Sequence, residues 1–233
     1  MIVVGPIAAT AKRRYDGRLA ILIDRDAENG RGRGLMVCAA ADTTTEMACT
    51  MAVQGRGILS VAMDEAIAFR LQIKPMGNVV PDSETPYFIS MIEAASCKET
   101  GISAEERALT MRTAGNPAAM AQDLVQPGHI MPMVVPNPFR DGATLVDLAY
   151  LLVFLGTGHR VAGWCDILDD AGDVGATDDC RALAQRLGLP VYEASEVRAL
   201  ADGPFAAAGP FLMDAGSARI GAGRAQIVEK VCA

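Results

Sequence analysis

The 233-residue chain is 51% hydrophobic and 21% charged, an ordinary globular composition that excludes a disordered polypeptide. Twenty-eight acidic residues against 21 basic ones give a net charge of −7, and aromatic residues make up only 5%. That balance offers neither a basic face for phosphate backbones nor a stacking platform for unpaired bases, so nucleic acid is excluded as the principal partner.

At the N-terminus, MIVVGPIAATAKRRYDG carries its basic residues after a short apolar stretch, the reverse of a secretory leader. Residues 19–23 (LAILI) read as a buried strand that empties into a charged, glycine-rich loop over 24–34. Residues 35–41 are again apolar, and Thr43, Thr44 and Thr45 offer an N-cap to a helix ending near Gly55. Residues 57–63 alternate as a strand does, and YFISMIEAA, within 85–95, is a further strand candidate. After a polar loop over 96–103, Ser103-x-x-Glu106 forms a capping-box pattern that opens a helix running to about Ala114. Gln126-Pro127-Gly128-His129 reads as a turn before a short apolar run over 130–135. The run over 145–154 reads as a buried helix; interrupted by Asp147, it is too short to cross a bilayer. A strand over 161–168, a helix over 180–187 and a short strand over 190–192 complete the series. Strands and helices intermix without strict βαβ alternation. The expected fold is therefore α/β of the α+β kind, a single mixed-sheet domain with flanking helices over residues 1–200. Residues 201–233, rich in Gly and Ala, read as an appended tail or arm.

The six cysteines, at 38, 49, 97, 165, 180 and 232, form no CxxC pair, and His129 and His159 are the only histidines. No zinc spacing can be drawn from them, and scattered thiols without a leader predict a reduced, soluble, cytoplasmic protein that does not engage membranes. Gly-Arg-Gly-Arg-Gly at 30–34 lacks both the GxGxxG spacing and the lysine of a phosphate loop, so it reads as a flexible turn. No GxSxG elbow supports a serine hydrolase. His129, taken alone, suits a core histidine as well as an active one.

Six segments stand in order: ILIDRDAENG, VQGRGILSVAM, ETGISAEERALTMR, DLVQPGHIMPM, RDGAT and VAGWCDILDDAG. In order and spacing they resemble the 3,4-dihydroxy-2-butanone 4-phosphate synthases of riboflavin biosynthesis, over about residues 15–200. TGISAEER and PGHIMPM carry most of the weight, because no generic structural reason makes such strings occur together. The resemblance implies a homodimer with its active sites near the subunit interface. It also implies a Mg²⁺-assisted conversion of ribulose 5-phosphate to the butanone phosphate and formate. The stretch beyond residue 200 is too short for the GTP cyclohydrolase domain of fused members, so that second activity is not expected.

Departures from the family pattern fall on its chemistry. The acidic loop, Arg-Glu-Asn-Glu-Gly-Asp in the family, is Ala27-Glu28-Asn29-Gly30-Arg31-Gly32 here. Glu28 keeps a metal-ligand position, the other two acids are gone, and Arg31 and Arg33 enter. The family's Arg-x-Gly-His-Thr-Glu becomes Arg140-Asp141-Gly142-Ala143-Thr144-Leu145. The resemblance marks Arg140 and Thr144 as phosphate-binding, whereas the metal-binding histidine is replaced by Ala143. A family cysteine is Ser60, the arginine before Pro-Gly-His is Gln126, and a late catalytic glutamate falls at Asp166. Thr100 and Arg107 are retained, and Glu106 stands in place of Asp. Cys97 and Glu99 are newcomers to the same loop, where Lys98 stands to activate the thiol or the cysteine has no role. Cys165 is expected to pack.

The implied catalytic set is thus Glu28, His129, Asp166, Glu99 and Cys97. The implied substrate-binding set is Arg140, Thr144, Thr100, Glu106, Arg107 and Ser60. Mg²⁺ needs oxygen-rich octahedral coordination, and Glu28 is the only protein ligand that the pattern retains. Three functions follow: a diverged lyase, isomerase or ring-opening hydrolase using acid/base chemistry on a small anionic substrate; a binding or regulatory paralogue without catalysis; and the parent synthase itself.

Overall fold

The computed structural model describes residues 15–25, 30–76 and 84–201. In chain order its elements are β1 (Ala20–Asp24), β2 (Arg33–Ala39), α1 (Thr45–Thr50), β3 (Ser60–Met63), α2 (Glu65–Arg70), β4 (Tyr87–Phe88) and β5 (Ile92–Ala94). There follow α3 (Ala104–Gly115), β6 (Leu124–Val134), α4 (Leu145–Thr157), β7 (Val161–Asp166), α5 (Thr177–Leu187), β8 (Val191–Glu193) and α6 (Ala194–Ala201). The eight strands form one mixed sheet in the order β4-β6-β3-β7-β2-β1-β8, with β5 added on β6. Only β1–β8 and β3–β6 run parallel.

The alternation of side chains along the strands divides the core in two. Ile21, Ile23, Met36 and Cys38 face α1, α2, α3 and α5, while Ala20, Leu22, Leu35 and Val37 face α4 and α6. Both faces are covered, so the central strands read as unbroken apolar runs. One polar tie crosses the layers. Asp64, which follows β3 and caps α2, accepts from the Tyr150 hydroxyl of α4 at 2.9 Å and from Arg160 Nε at 2.6 Å. All three are buried, and burial pushes the Tyr150 hydroxyl well above its ordinary pKa.

Several boundaries differ from the sequence expectation, each for a tertiary reason. The helix after Thr44 ends in a wider π turn, Met51–Gly55, closed by Arg56 in the left-handed region at φ 68°. YFISMIEAA splits into β4 and β5, because Ile89 and Ser90 turn aside to pair with the main chain near Lys74. The 126–129 turn lies inside an eleven-residue β6, since β5 supplies a partner strand across it. Gly128 makes that pairing possible: a Cβ there would stand 2.1 Å from the Ile92 carbonyl carbon. α2 and α6 were not anticipated, although Asp64 before EAIAFR is a readable N-cap. Of the stretch 201–233 that reads as a tail, Ala201 closes α6, and residues 202–233 lie outside the described residues.

Candidate active site

Strand polarity gathers Ser60, His129 and Asp166 at one end of the sheet, whereas Arg140 and Thr144 follow the opposite end of β6. Ser60, which opens β3, stands opposite Met131 of β6 and Trp164 of β7. His129 lies two residues before Met131, and Asp166 two residues after Trp164, so both project at the Ser60 end. Asp24 and Arg33 are paired at that same end, and Leu35 is registered with Asp166.

His129 is held by a partner that sequence reasoning missed. Its Nδ1 lies 2.8 Å from Oε2 of Glu93, on β5. The Glu93 side chain is 12% exposed and the His129 side chain 41%, so a nearly buried carboxylate grips an open imidazole. The available signal was that Glu93 is the one charged residue in YFISMIEAA.

The loop beside this pair is organised by Glu106. Its carboxylate accepts from the main-chain N–H groups of Lys98 (2.9 Å), Glu99 (2.8 Å) and Gly101 (2.9 Å). These bonds, the one from Glu99 foremost, hold the carboxyl below its ordinary range despite an opposing desolvation effect. The expected capping box is therefore half formed. Ser103 accepts from the Glu106 N–H at 3.1 Å, but the Glu106 carboxylate turns to the loop instead of back to the cap. Glu106 is thus committed internally, which argues against direct substrate contact, while the side chains of Glu99 and Thr100 are exposed. The surroundings of Cys97 do not favour its thiolate. Burial raises its thiol, the Thr110 hydroxyl lowers it, and the charges of Glu106 and Glu93 raise it again; the net shift is upward. Lys98 does not activate it.

Asp166 is occupied by a newcomer: Arg33 Nη2 lies 2.5 Å from its Oδ1, with both side chains about one-third exposed (36% and 31%). Arg140 and Thr144 come together on Asp147, a fully buried residue of α4. Arg140 Nη2 lies 2.9 Å from Asp147 Oδ2, and the Thr144 hydroxyl donates to the same oxygen at 2.7 Å. The Arg140 side chain is only 8% exposed, so the open anion-binding fork that the resemblance implied is turned inward. Ser60 is buried, its hydroxyl 3.2 Å from the Ile58 carbonyl. Arg107 carries a buried Nε without a hydrogen-bond partner, and its charge reaches Cys165, which packs as expected. A cleft of about 220 Å³ also opens at this sheet end, between Asp24 and Glu193, but those acids are matched to Arg198 and Arg25. Glu28 lies outside the described residues.

At one end of a mixed sheet covered on both faces stand a carboxylate–imidazole pair and an aspartate held by an arginine. Comparison with known proteins gives the family. Residues 9–200 match the 3,4-dihydroxy-2-butanone 4-phosphate synthase profile, and the chain belongs to that family. It is 33% identical over 191 residues to the riboflavin biosynthesis protein RibBA of Mycobacterium ulcerans, covering 78% of this chain and 43% of that protein. The chain therefore spans under half the length of this curated relative. Its fold matches the Candida albicans 3,4-dihydroxy-2-butanone 4-phosphate synthase at a TM-score of 0.68 and 26% identity, covering 78% of this chain and 89% of that one. A synthase solved with two magnesium ions shares the fold at a TM-score of 0.72 and 24% identity, covering 81% of this chain and 92% of that one.

The side chains described here do not fit such an ion. Among the described residues no group of three or more His, Cys, Asp or Glu side chains is arranged to hold a metal. Ala143 carries no donor atom and Asp166 is taken by Arg33. Among the described residues, too, no helix is long and apolar enough to cross a membrane.

Proposed function

We propose that this chain is a diverged family member that performs acid/base chemistry on a small anionic substrate at the His129–Asp166 end of the sheet. The supporting observation is the 2.8 Å contact between Glu93 and His129. A carboxylate on Nδ1 fixes the imidazole tautomer and leaves Nε2 as a general base, the arrangement that proton abstraction requires. Asp166 enters as the second carboxylate of the site, with its partner Arg33 as the cation that meets the substrate's anionic group. Arg140 and Thr144 enter as the brace of the α4 N-terminus, and Glu28 remains a further candidate acid. Lyase, isomerase and ring-opening hydrolase reactions all suit this set. The homodimer that the family resemblance implies, and the cytoplasmic setting that the scattered thiols suggest, are part of the reading.

The parent synthase reaction is the second reading, favoured by the 33% identity to a riboflavin biosynthesis protein. One assay separates the two. The protein is given ribulose 5-phosphate and Mg²⁺, and formate is measured. Loss of single catalytic groups costs about 10²–10⁴-fold, so formate release is expected to fall far below that of an ordinary synthase. Turnover within about tenfold of such an enzyme, less than the loss of one group predicts, would establish the parent reaction and end the proposal.

A further inference from the structure

We infer that Glu106 is a positioning residue for the Glu93–His129 pair, acting through the loop over residues 97–101. The inference deepens the proposed role of His129, but its geometry stands apart from any reaction.

A glutamate three residues after a helix cap ordinarily bonds back to the cap's own N–H. Glu106 instead spans eight, seven and five residues upstream to bond Lys98, Glu99 and Gly101. Three N–H groups converging on two carboxylate oxygens fix the path of the loop, charge-assisted bonds being about twice as strong as neutral ones. Gly101 is the point where that path meets the pair. It sits at φ +75°, and a Cβ there would fall 2.0 Å from both Cδ and Oε2 of Glu93. The Glu93 carboxylate thus fills the space that a side chain at 101 would occupy, and the main chain of Gly101 closes over it. A second brace runs from the same helix. Thr110 donates to the Glu106 carbonyl at 2.9 Å and accepts from the Ala94 N–H at 3.0 Å, fixing β5 next to Glu93. The first two turns of α3 therefore hold both the strand that carries Glu93, through Thr110, and the loop above its carboxylate, through Glu106. Oε2 of Glu93 is left facing His129 Nδ1.

The test is the tautomer of neutral His129, read from its imidazole ¹⁵N shifts in the full chain. Wild type is expected to show the Nδ1–H form that a carboxylate on Nδ1 selects. In Glu106→Gln the amide cannot accept all three loop N–H bonds, and the Nε2–H form is expected to rise at least several-fold. Gly101→Ala, which leaves Glu106 intact but places a methyl on the Glu93 carboxylate, is expected to do the same. Ser103→Ala removes the helix cap and the hydroxyl beside the Glu106 carboxylate but none of the three loop bonds, and should lower stability while leaving the tautomer unchanged. If Glu106→Gln keeps the wild-type tautomer while the Lys98, Glu99 and Gly101 amides shift, Glu106 merely caps the helix and the inference falls. If wild type itself shows the Nε2–H form, the Glu93–His129 reading falls with it. A missing enzymatic activity would leave this result untouched.

Discussion

At Cys97 the sequence sets a thiol beside Lys98, and the fold sets that thiol near two carboxylates. The sulfur lies 3.9 Å from both the Glu106 carbonyl and the Thr110 hydroxyl, where burial and the Glu106 and Glu93 charges favour the neutral form. A raised pKa leaves little thiolate at neutral pH, and thiolate is the reactive species. Iodoacetamide at pH 7 is therefore expected to label the exposed Cys49 ahead of Cys97. The Cys97 rate should still be climbing above pH 9.0, the ordinary thiol value. Peptide mass spectrometry across a pH series checks this, and prompt stoichiometric labelling of Cys97 at pH 7 would contradict it. Arg33 and Arg140 make the same point about charge. The arginine that matched a binding position is sealed against Asp147, while the arginine that entered with the altered loop stands one-third exposed on Asp166.

The N-terminus of α4 depends on one side chain. Asp147 accepts from the Thr144 N–H and hydroxyl, both at 2.7 Å, and from Arg140, closing the capping box and neutralising a buried guanidinium together. Removing one partner of a buried ion pair strands the other charge, at a cost of about 3–5 kcal/mol. Removing a capping hydroxyl costs only about 1 kcal/mol. Asp147→Ala is thus expected to lose several times more stability in urea unfolding than Thr144→Ala. Equal losses would mean that Arg140 finds another partner and that the cap, not the ion pair, governs the turn.

Across the whole molecule, both faces of the sheet are covered, yet large apolar side chains remain exposed. Phe69 is 86% and Ile58 59% exposed, the latter two residues before Ser60. Apolar surface at the functional end of the sheet suits burial against a second copy, in keeping with the homodimer that the family resemblance implies. Sedimentation equilibrium at micromolar concentration is expected to give twice the 24.5 kDa chain mass. A clean monomer would remove the interface from the proposed site.

The apolar runs of β1, β2 and β7 and the continuous hydrophobicity of α4 were legible in the sequence, because burial on every side leaves a local, unbroken pattern. The motif strings were legible too, and they pointed to the family. What Glu93 and Arg33 do, and the hold of Asp147 on Arg140, was decided only by the tertiary structure. Each is the lone charge of its strand or helix, and the partner lies on a different strand or loop. The same holds for β6, whose turn-like Gln126–His129 stretch becomes strand only because β5 arrives to pair with it. Hydrophobic periodicity is set by near neighbours in the chain, so one sequence displays it. The pairing of a charge depends on what the fold brings within about 3 Å, and nothing in the spacing of residues records that distance.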